Sequence, residues 1–75
     1  MSRYGNLNGG SGVYSYEIGS DRITITFSTN SIYEYTYESA GNNHIETMKS
    51  LAIKGKGLNG YINTYTKFKY SRKIS

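Results

Sequence analysis

Cysteine, proline and tryptophan are all missing from this chain of 75 residues. Without cysteine, neither a disulfide framework nor a cysteine-based zinc site can staple the fold. Such a chain is one domain, and on folding it buries only about 60% of the surface that its unfolded form exposes. Stability must therefore come from packing, and eleven aromatic residues, nine Tyr and two Phe, supply the bulk for it. Long apolar runs are also missing. "MSRYGNLNGG" has no apolar stretch of the signal-peptide kind, and the longest uncharged stretches are too polar to span a bilayer. The expectation is a cytoplasmic protein of bacterial type.

Acid is missing from one half of the chain. Glu17, Asp21, Glu34, Glu38 and Glu46 all precede position 47, and with Arg3 and Arg22 they leave the first 46 residues at a net −3. Beyond them come Lys49, Lys54, Lys56, Lys67, Lys69, Arg72 and Lys73, a net +7 with no acid. This asymmetry points to a cationic face that attracts polyanions, against the plainer reading of a solubilising tail.

Residues 1–11, rich in Gly, Asn and Ser, read as a flexible arm; residues 12–70 read as the single domain and 71–75 as a basic tail. "VYSYEI", "RITITF" and "IYEYTY" alternate with period two, which predicts an antiparallel meander of three strands. A two-residue turn at Ser20-Asp21 opposes Ile18 to Ile23, Tyr16 to Ile25 and Tyr14 to Phe27. In "STNS" a three-residue loop, of odd length and with Asn30 near its end in the left-handed region, is preferred. It opposes Phe27 to Tyr33 and Ile25 to Tyr35, and gathers Tyr14, Tyr16, Ile18, Ile23, Ile25, Phe27, Tyr33, Tyr35 and Tyr37 on one face. Ser15, Glu17, Arg22, Thr24, Thr26, Glu34 and Thr36 take the other.

After Glu38 the period changes. Ile45, Met48, Leu51 and Ala52 stand at helical spacing, with Asn43 and Glu46 as a capping pair, Glu46 in the first turn, Lys54 in the last and Gly55 as the stop. Leu58, Tyr61, Ile62 and Tyr65 predict a short second helix, and "TKFKYSRKIS" reads as a fourth strand at the sheet edge or as a tail. The fold class is therefore α+β, a small antiparallel meander with one or two helices on one face. That face needs an apolar partner and the helices offer one, so the alternating tyrosines read as core rather than as an exposed stacking platform, with some hydroxyls reaching water at the rim.

The order of these features resembles the KTSC domain, a short module at the carboxyl end of some lysyl-tRNA synthetases and in stand-alone bacterial proteins. Tyr16-Glu17 stands where that family has Tyr-Asp, "ITITF" matches its apolar strand, and Tyr33 and Tyr35 match its Tyr-x-Tyr pair. "GKGLNGYI" is similar to its Gly-Lys-x-Phe-Asn-x-x-Ile run, with Gly55, Asn59 and Ile62 in place and Leu58 for the aromatic. The chain departs from the pattern at "ESAGNN", where a Val-Pro step is common, at Ala52 for a Ser, and at Asn63 for a basic residue. The resemblance implies no established activity, only the conjecture that the module binds RNA.

An enzyme reading fares badly. His44 is the single histidine, reads as a surface residue of the first helix, and has no cluster of carboxylates beside it in sequence. No metal or cofactor is implied. "GKGLNG" lacks the Gly-Lys-Ser/Thr ending of a phosphate loop and reads as a helix exit, though its amides and lysines can touch a phosphate. RNA binding is the sharper hypothesis: Lys54, Lys56, Lys67, Lys69, Arg72 and Lys73 for phosphates, Phe68 and Tyr70 for stacking on bases of a single strand or tRNA. The rival is a protein-interaction module that uses an exposed sheet edge or the threonine-rich outer face. Membrane attachment lacks an amphipathic helix with apolar bulk, and the chain is read as a monomer.

Overall fold

The computed structural model describes the backbone of Ser2–Arg3 and residues 12–75 in full. Five antiparallel strands form one sheet in sequence order: β1 (Ser2–Arg3), β2 (Val13–Ile18), β3 (Arg22–Phe27), β4 (Ile32–Thr36) and β5 (Arg72–Lys73). Between β4 and β5 come α1 (Tyr37–Ala40), α2 (Asn42–Lys54) and α3 (Leu58–Tyr61), which runs on into a π-turn at Ile62–Thr66. The architecture is the expected α+β one, with the helices packed on one face of the sheet. Among the described residues no helix is long and apolar enough to cross a membrane.

The core forms where the alternating face meets the helical stripe. Ile23, Ile25 and Tyr35 of the sheet pack with Ile45, Met48 and Ala52 of α2 and with Leu58 and Ile62 beyond it, all of them buried. Tyr16, Phe27 and Tyr33 border this core half-buried. The tyrosine face is thus largely interior, and it is Tyr35 rather than Tyr33 that is sealed, at 1% exposure.

The β2–β3 turn lies at Ser20-Asp21 as expected, pairing Ile18 with Ile23 and Tyr16 with Ile25. The register then slips between Val13 and Ser15, so Val13, not Tyr14, opposes Phe27. One extra residue in the bulged strand reverses the facing of what precedes it. Val13 enters the core and Tyr14 turns outward.

At the next connection Asn30 does adopt a left-handed conformation, φ 71°, in an odd-length loop. The loop, 28–30, has the three residues expected of it, but not the expected pairs. The Phe27 amide donates to the Ser31 carbonyl at 2.8 Å, Tyr33 opposes Ile25 and Tyr35 opposes Ile23. The expected partners are displaced by two residues, a shift that leaves every side chain on its intended face.

Tyr37 leaves the sheet. Thr36 caps α1: its hydroxyl accepts from the Ser39 amide at 3.1 Å while the Ser39 hydroxyl accepts from the Thr36 amide at 3.0 Å. This reciprocal box satisfies two amide donors and stops the strand one residue before the tyrosine alternation ends. Gly41, at φ 92°, then caps α2 through its backbone, so Asn43 is not the cap and Glu46 lies beyond the first turn. Gly55 ends α2 in the left-handed region, φ 83°, its amide reaching the Leu51 carbonyl at 3.0 Å, and Lys54 occupies the last turn as expected.

In the second helix Leu58 and Ile62 are buried, but the π-turn adds a residue to the repeat and Thr66 takes the inward place expected of Tyr65. The Thr66 hydroxyl donates to Met48 Sδ at 3.6 Å. Of the two alternatives open for the last ten residues, the chain forms a strand, at Arg72–Lys73 rather than across Lys67–Tyr70, which is a turn. Pairing continues past it: the Ile74 amide donates to Ile32 O at 2.7 Å and the Ile32 amide to Ser75 O at 3.0 Å, so 71–75 is held along β4 rather than loose. Ser2–Arg3, expected within a flexible arm, pairs with Tyr16 and Ser15. The rest of that arm lies outside the described residues.

Candidate nucleic-acid interface

A short turn carries the chain from the π-turn to β5, and it sets the site. The Lys69 amide donates to Thr66 O at 3.0 Å, ending the helix, and the Ser71 amide donates to Glu34 O at 2.6 Å, beginning the sheet pairing. Tyr70 is pinned between these two anchors. Its ring lies 4.7 Å from that of Tyr33 and 6.4 Å, edge to face, from that of Tyr35. Tyr33 also meets Phe27 edge-on at 5.7 Å. These rings wall an open cleft of about 310 Å³ between the β3–β4 hairpin and the π-turn, with Asn63, Lys67 and Phe68 on its helical side.

Two cations sit over rings at this cleft. Lys67 Nζ is 5.4 Å from the Phe68 ring centre and Lys73 Nζ 5.9 Å from that of Tyr33. Each contact is a modest cation–π attraction at an exposed site. Phe68 is 82% exposed, a large ring that the fold leaves uncovered. The electrostatics of the wall are set by burial. Tyr35 is pushed up to about 12, first because its ring is desolvated and then by neighbouring Tyr33 and Tyr70. It stays neutral throughout the ordinary pH range.

The predicted phosphate contacts divide into three groups. Lys67 lines the cleft, Lys73 stands over the Tyr33 ring of its wall, and Lys69 is exposed in the turn between them. Arg72 belongs to the opposite face of the sheet, where its Nε lies 3.3 Å from Glu34 Oε1 and Arg22 approaches the other carboxylate oxygen at 3.4 Å. Alternation along β5 is the cause: Lys73 opposes Tyr33 and Arg72 opposes Glu34. Lys54 and Lys56 flank Gly55 at the far end of α3, nine helical residues (Leu58 to Thr66) or roughly 13 Å from the cleft turn. Phe68 and Tyr70, the stacking candidates, do come together there, and Phe27, Tyr33, Tyr35 and Asn63 join them. The Tyr33/Tyr35 alternation was the signal for part of this wall; Asn63 had none beyond its departure from the resembled pattern.

Two other clusters complete the polar map. His44, expected at the surface, is half-buried: its Nδ1 is 2.6 Å from the Tyr61 hydroxyl and its ring stacks on Tyr65 at 5.9 Å, because α3 and the π-turn lie against the first turns of α2. Tyr37 donates to Glu46, which also accepts from Lys49 at 2.9 Å, while Lys49 reaches the Ser20 carbonyl at 3.0 Å. The Tyr37 hydroxyl and then Lys49 hold the Glu46 carboxyl below its ordinary value, and the same contact raises Tyr37. This cluster fastens α1, α2 and the β2–β3 turn together. Among the described residues no three His, Asp or Glu side chains gather as a metal site would need.

No protein-family model, no curated protein and no solved structure matches this chain.

Proposed function

We propose that this chain is a non-enzymatic binding module for single-stranded RNA, and that it is a KTSC-like domain working in the cytoplasm. One observation carries the reading: Tyr33, Phe68 and Tyr70 border a single cleft with Lys67 and Lys73 poised over two of the rings. Single strands need cations for phosphates and ring faces for bases, with each stacked base contributing about 1–3 kcal/mol. The KTSC resemblance rests on the order of strand, Tyr-x-Tyr pair, helix and "GKGLNGYI" run, and it adds the same conjecture of an RNA partner.

The interaction-module alternative has less support. β1 and β5, the edges of the described sheet, are two residues long each. Very short edges are one way in which proteins discourage strand addition. The outer face carries the Arg22–Glu34–Arg72 cluster.

The test is an NMR titration of labelled protein with short single-stranded RNA and with tRNA, at low and at moderate salt. Shifts gathered on residues 63–73 and on Tyr33, fading as salt rises, are the expected result. Shifts confined to the β5 edge and indifferent to salt would transfer the assignment to a protein partner.

A further inference from the structure

We infer that the cleft takes one unpaired base inserted edge-first, with a polar atom of that edge hydrogen-bonded to the Tyr35 hydroxyl at its floor. This rests on the RNA-binding reading above and adds how the base is held: by its edge as well as by its face.

One hydroxyl in the cleft stands without a bond. Tyr35 is 1% exposed and lines the cleft, and its hydroxyl bonds to no other described residue. Nor is it sealed in. Among the described residues no fully enclosed side-chain oxygen lacks a partner, so this unbonded one opens to the cleft. A polar group withdrawn this far from solvent and left unpaired is rare in a native fold, and each instance calls for a reason. The hydroxyls of Tyr33 and Tyr70 are also unbonded, but both residues are more exposed and meet solvent at the rim. Tyr35 alone needs a partner that is itself inserted.

Its neighbours narrow what that partner is. The Tyr70 ring stands 6.4 Å from Tyr35 and 4.7 Å from Tyr33, and with Phe68 these rings give the cleft aromatic walls, suited to a flat ring. A volume of about 310 Å³ is at the lower end for small-ligand sites, roughly 300–1,000 Å³, room for one base rather than a stacked run. Lys67 and Lys73 are exposed, over Phe68 and Tyr33. A phosphate pushed to the floor would be a charge buried without a partner, so phosphates belong with the lysines and the neutral ring with Tyr35. Burial keeps the Tyr35 phenol protonated, pushed up to about 12, so it donates as well as accepts. That serves a carbonyl, ring nitrogen or amino group alike: the contact demands a polar edge and selects no particular base.

The experiment is fluorescence anisotropy, at constant low salt, with dye-labelled RNA pentamers that carry a single base, at the centre, among abasic positions. That base is uracil, its apolar isostere difluorobenzene, or absent. Wild type is expected to bind the uracil strand about fivefold more tightly than the isostere strand, the scale of one neutral hydrogen bond. Tyr35→Phe should weaken binding of the uracil strand and bring that ratio to about one. Its unfolding midpoint should not fall, because the hydroxyl it removes makes no bond in the free protein. A wild-type ratio of one, uracil binding no tighter than abasic, a ratio that survives Tyr35→Phe, or a midpoint lowered by that substitution overturns this inference. An all-uridine pentamer that still binds would then leave the RNA reading standing. Failure of the all-uridine pentamer to bind overturns both.

Discussion

Arg72 Nε lies 3.3 Å from Glu34 Oε1, and this pair joins the chain's last strand to β4 across the outer face of the sheet. Glu34 is 10% exposed in its side chain and also receives Arg22, whereas Arg72 is 67% exposed. A cation that looked available for phosphate is thus occupied in closing the sheet.

A double-mutant cycle of Arg72→Gln and Glu34→Gln, read by chemical unfolding, should give a coupling of about 0.5–1 kcal/mol, the upper part of the range for partly exposed ion pairs. Amide exchange at Ser71 and Ile74, both bonded to β4, should quicken in Arg72→Gln. A coupling of zero would mean that the backbone bonds alone hold β5.

For the same reason the cationic test of RNA binding belongs to the lysines. Lys67→Gln, Lys69→Gln and Lys73→Gln combined should weaken binding and lower the magnitude of the log–log salt slope by about 2, since each phosphate contact on a single strand contributes about 0.7. Adding Arg72→Gln should lower stability without a further change in slope. An unchanged slope in the triple variant would move the polyanion contact to Lys54 and Lys56, at the other end of α3.

Phe68→Ala separates stacking from folding. The ring is 82% exposed, so thermal stability should stay within experimental error, while affinity falls by about 1–3 kcal/mol if one base stacks there. Equal affinity for RNA in the folded variant would remove Phe68 from the interface.

Much of this fold was legible in the alternation itself. Side-chain facing has period two, so preferring an odd-length loop identified the buried face of β3 and β4 even though the actual pairs lie two residues away from those expected. Facing is blind to that slip. The bulge at Val13 was hidden because Val13 and Tyr14 are both apolar and either can serve as the inward residue. Thr36 and Ser39 close a capping box beneath a run that still alternates as a strand, so the pattern carried Tyr37 too far. The π-turn escaped because a 3.6-residue period aims Tyr65, not Thr66, at the core. The basic half was visible as charge; its division between cleft and outer face depends on β5 pairing with β4, a long-range contact that composition does not encode.

The Tyr37–Glu46–Lys49 cluster should define a pH window of stability. The carboxyl of Glu46 is held below its ordinary 4.5, first by the Tyr37 hydroxyl and then by Lys49, so its contribution is present above about pH 4.5 and is lost as pH falls through the lowered value. Tyr37 is raised above 10.0 by the Glu46 bond, and Lys49 above 10.5 by the same carboxylate, so both contributions are present below about pH 10 and fade as pH rises through the raised values. The difference in Tm between wild type and Tyr37→Phe should therefore be greatest between those limits and shrink on both sides. A difference independent of pH would show that Tyr37 acts through packing alone.

Tyr35 reports on whether the alternating rings are interior. Burial first, then Tyr33 and Tyr70, push it from 10.0 up to about 12. A raised folded value means that its contribution to stability is full below pH 10 and is lost as pH climbs towards 12. Tyr35→Phe keeps the ring and removes the ionisation, so the difference between the two proteins in tyrosinate absorbance isolates this one group. That difference should appear near pH 12, and the variant should lose less stability than wild type between pH 10 and 12. If the difference instead appears near pH 10, Tyr35 is reached by water in the native state, and the cleft wall extends down into what is now the core.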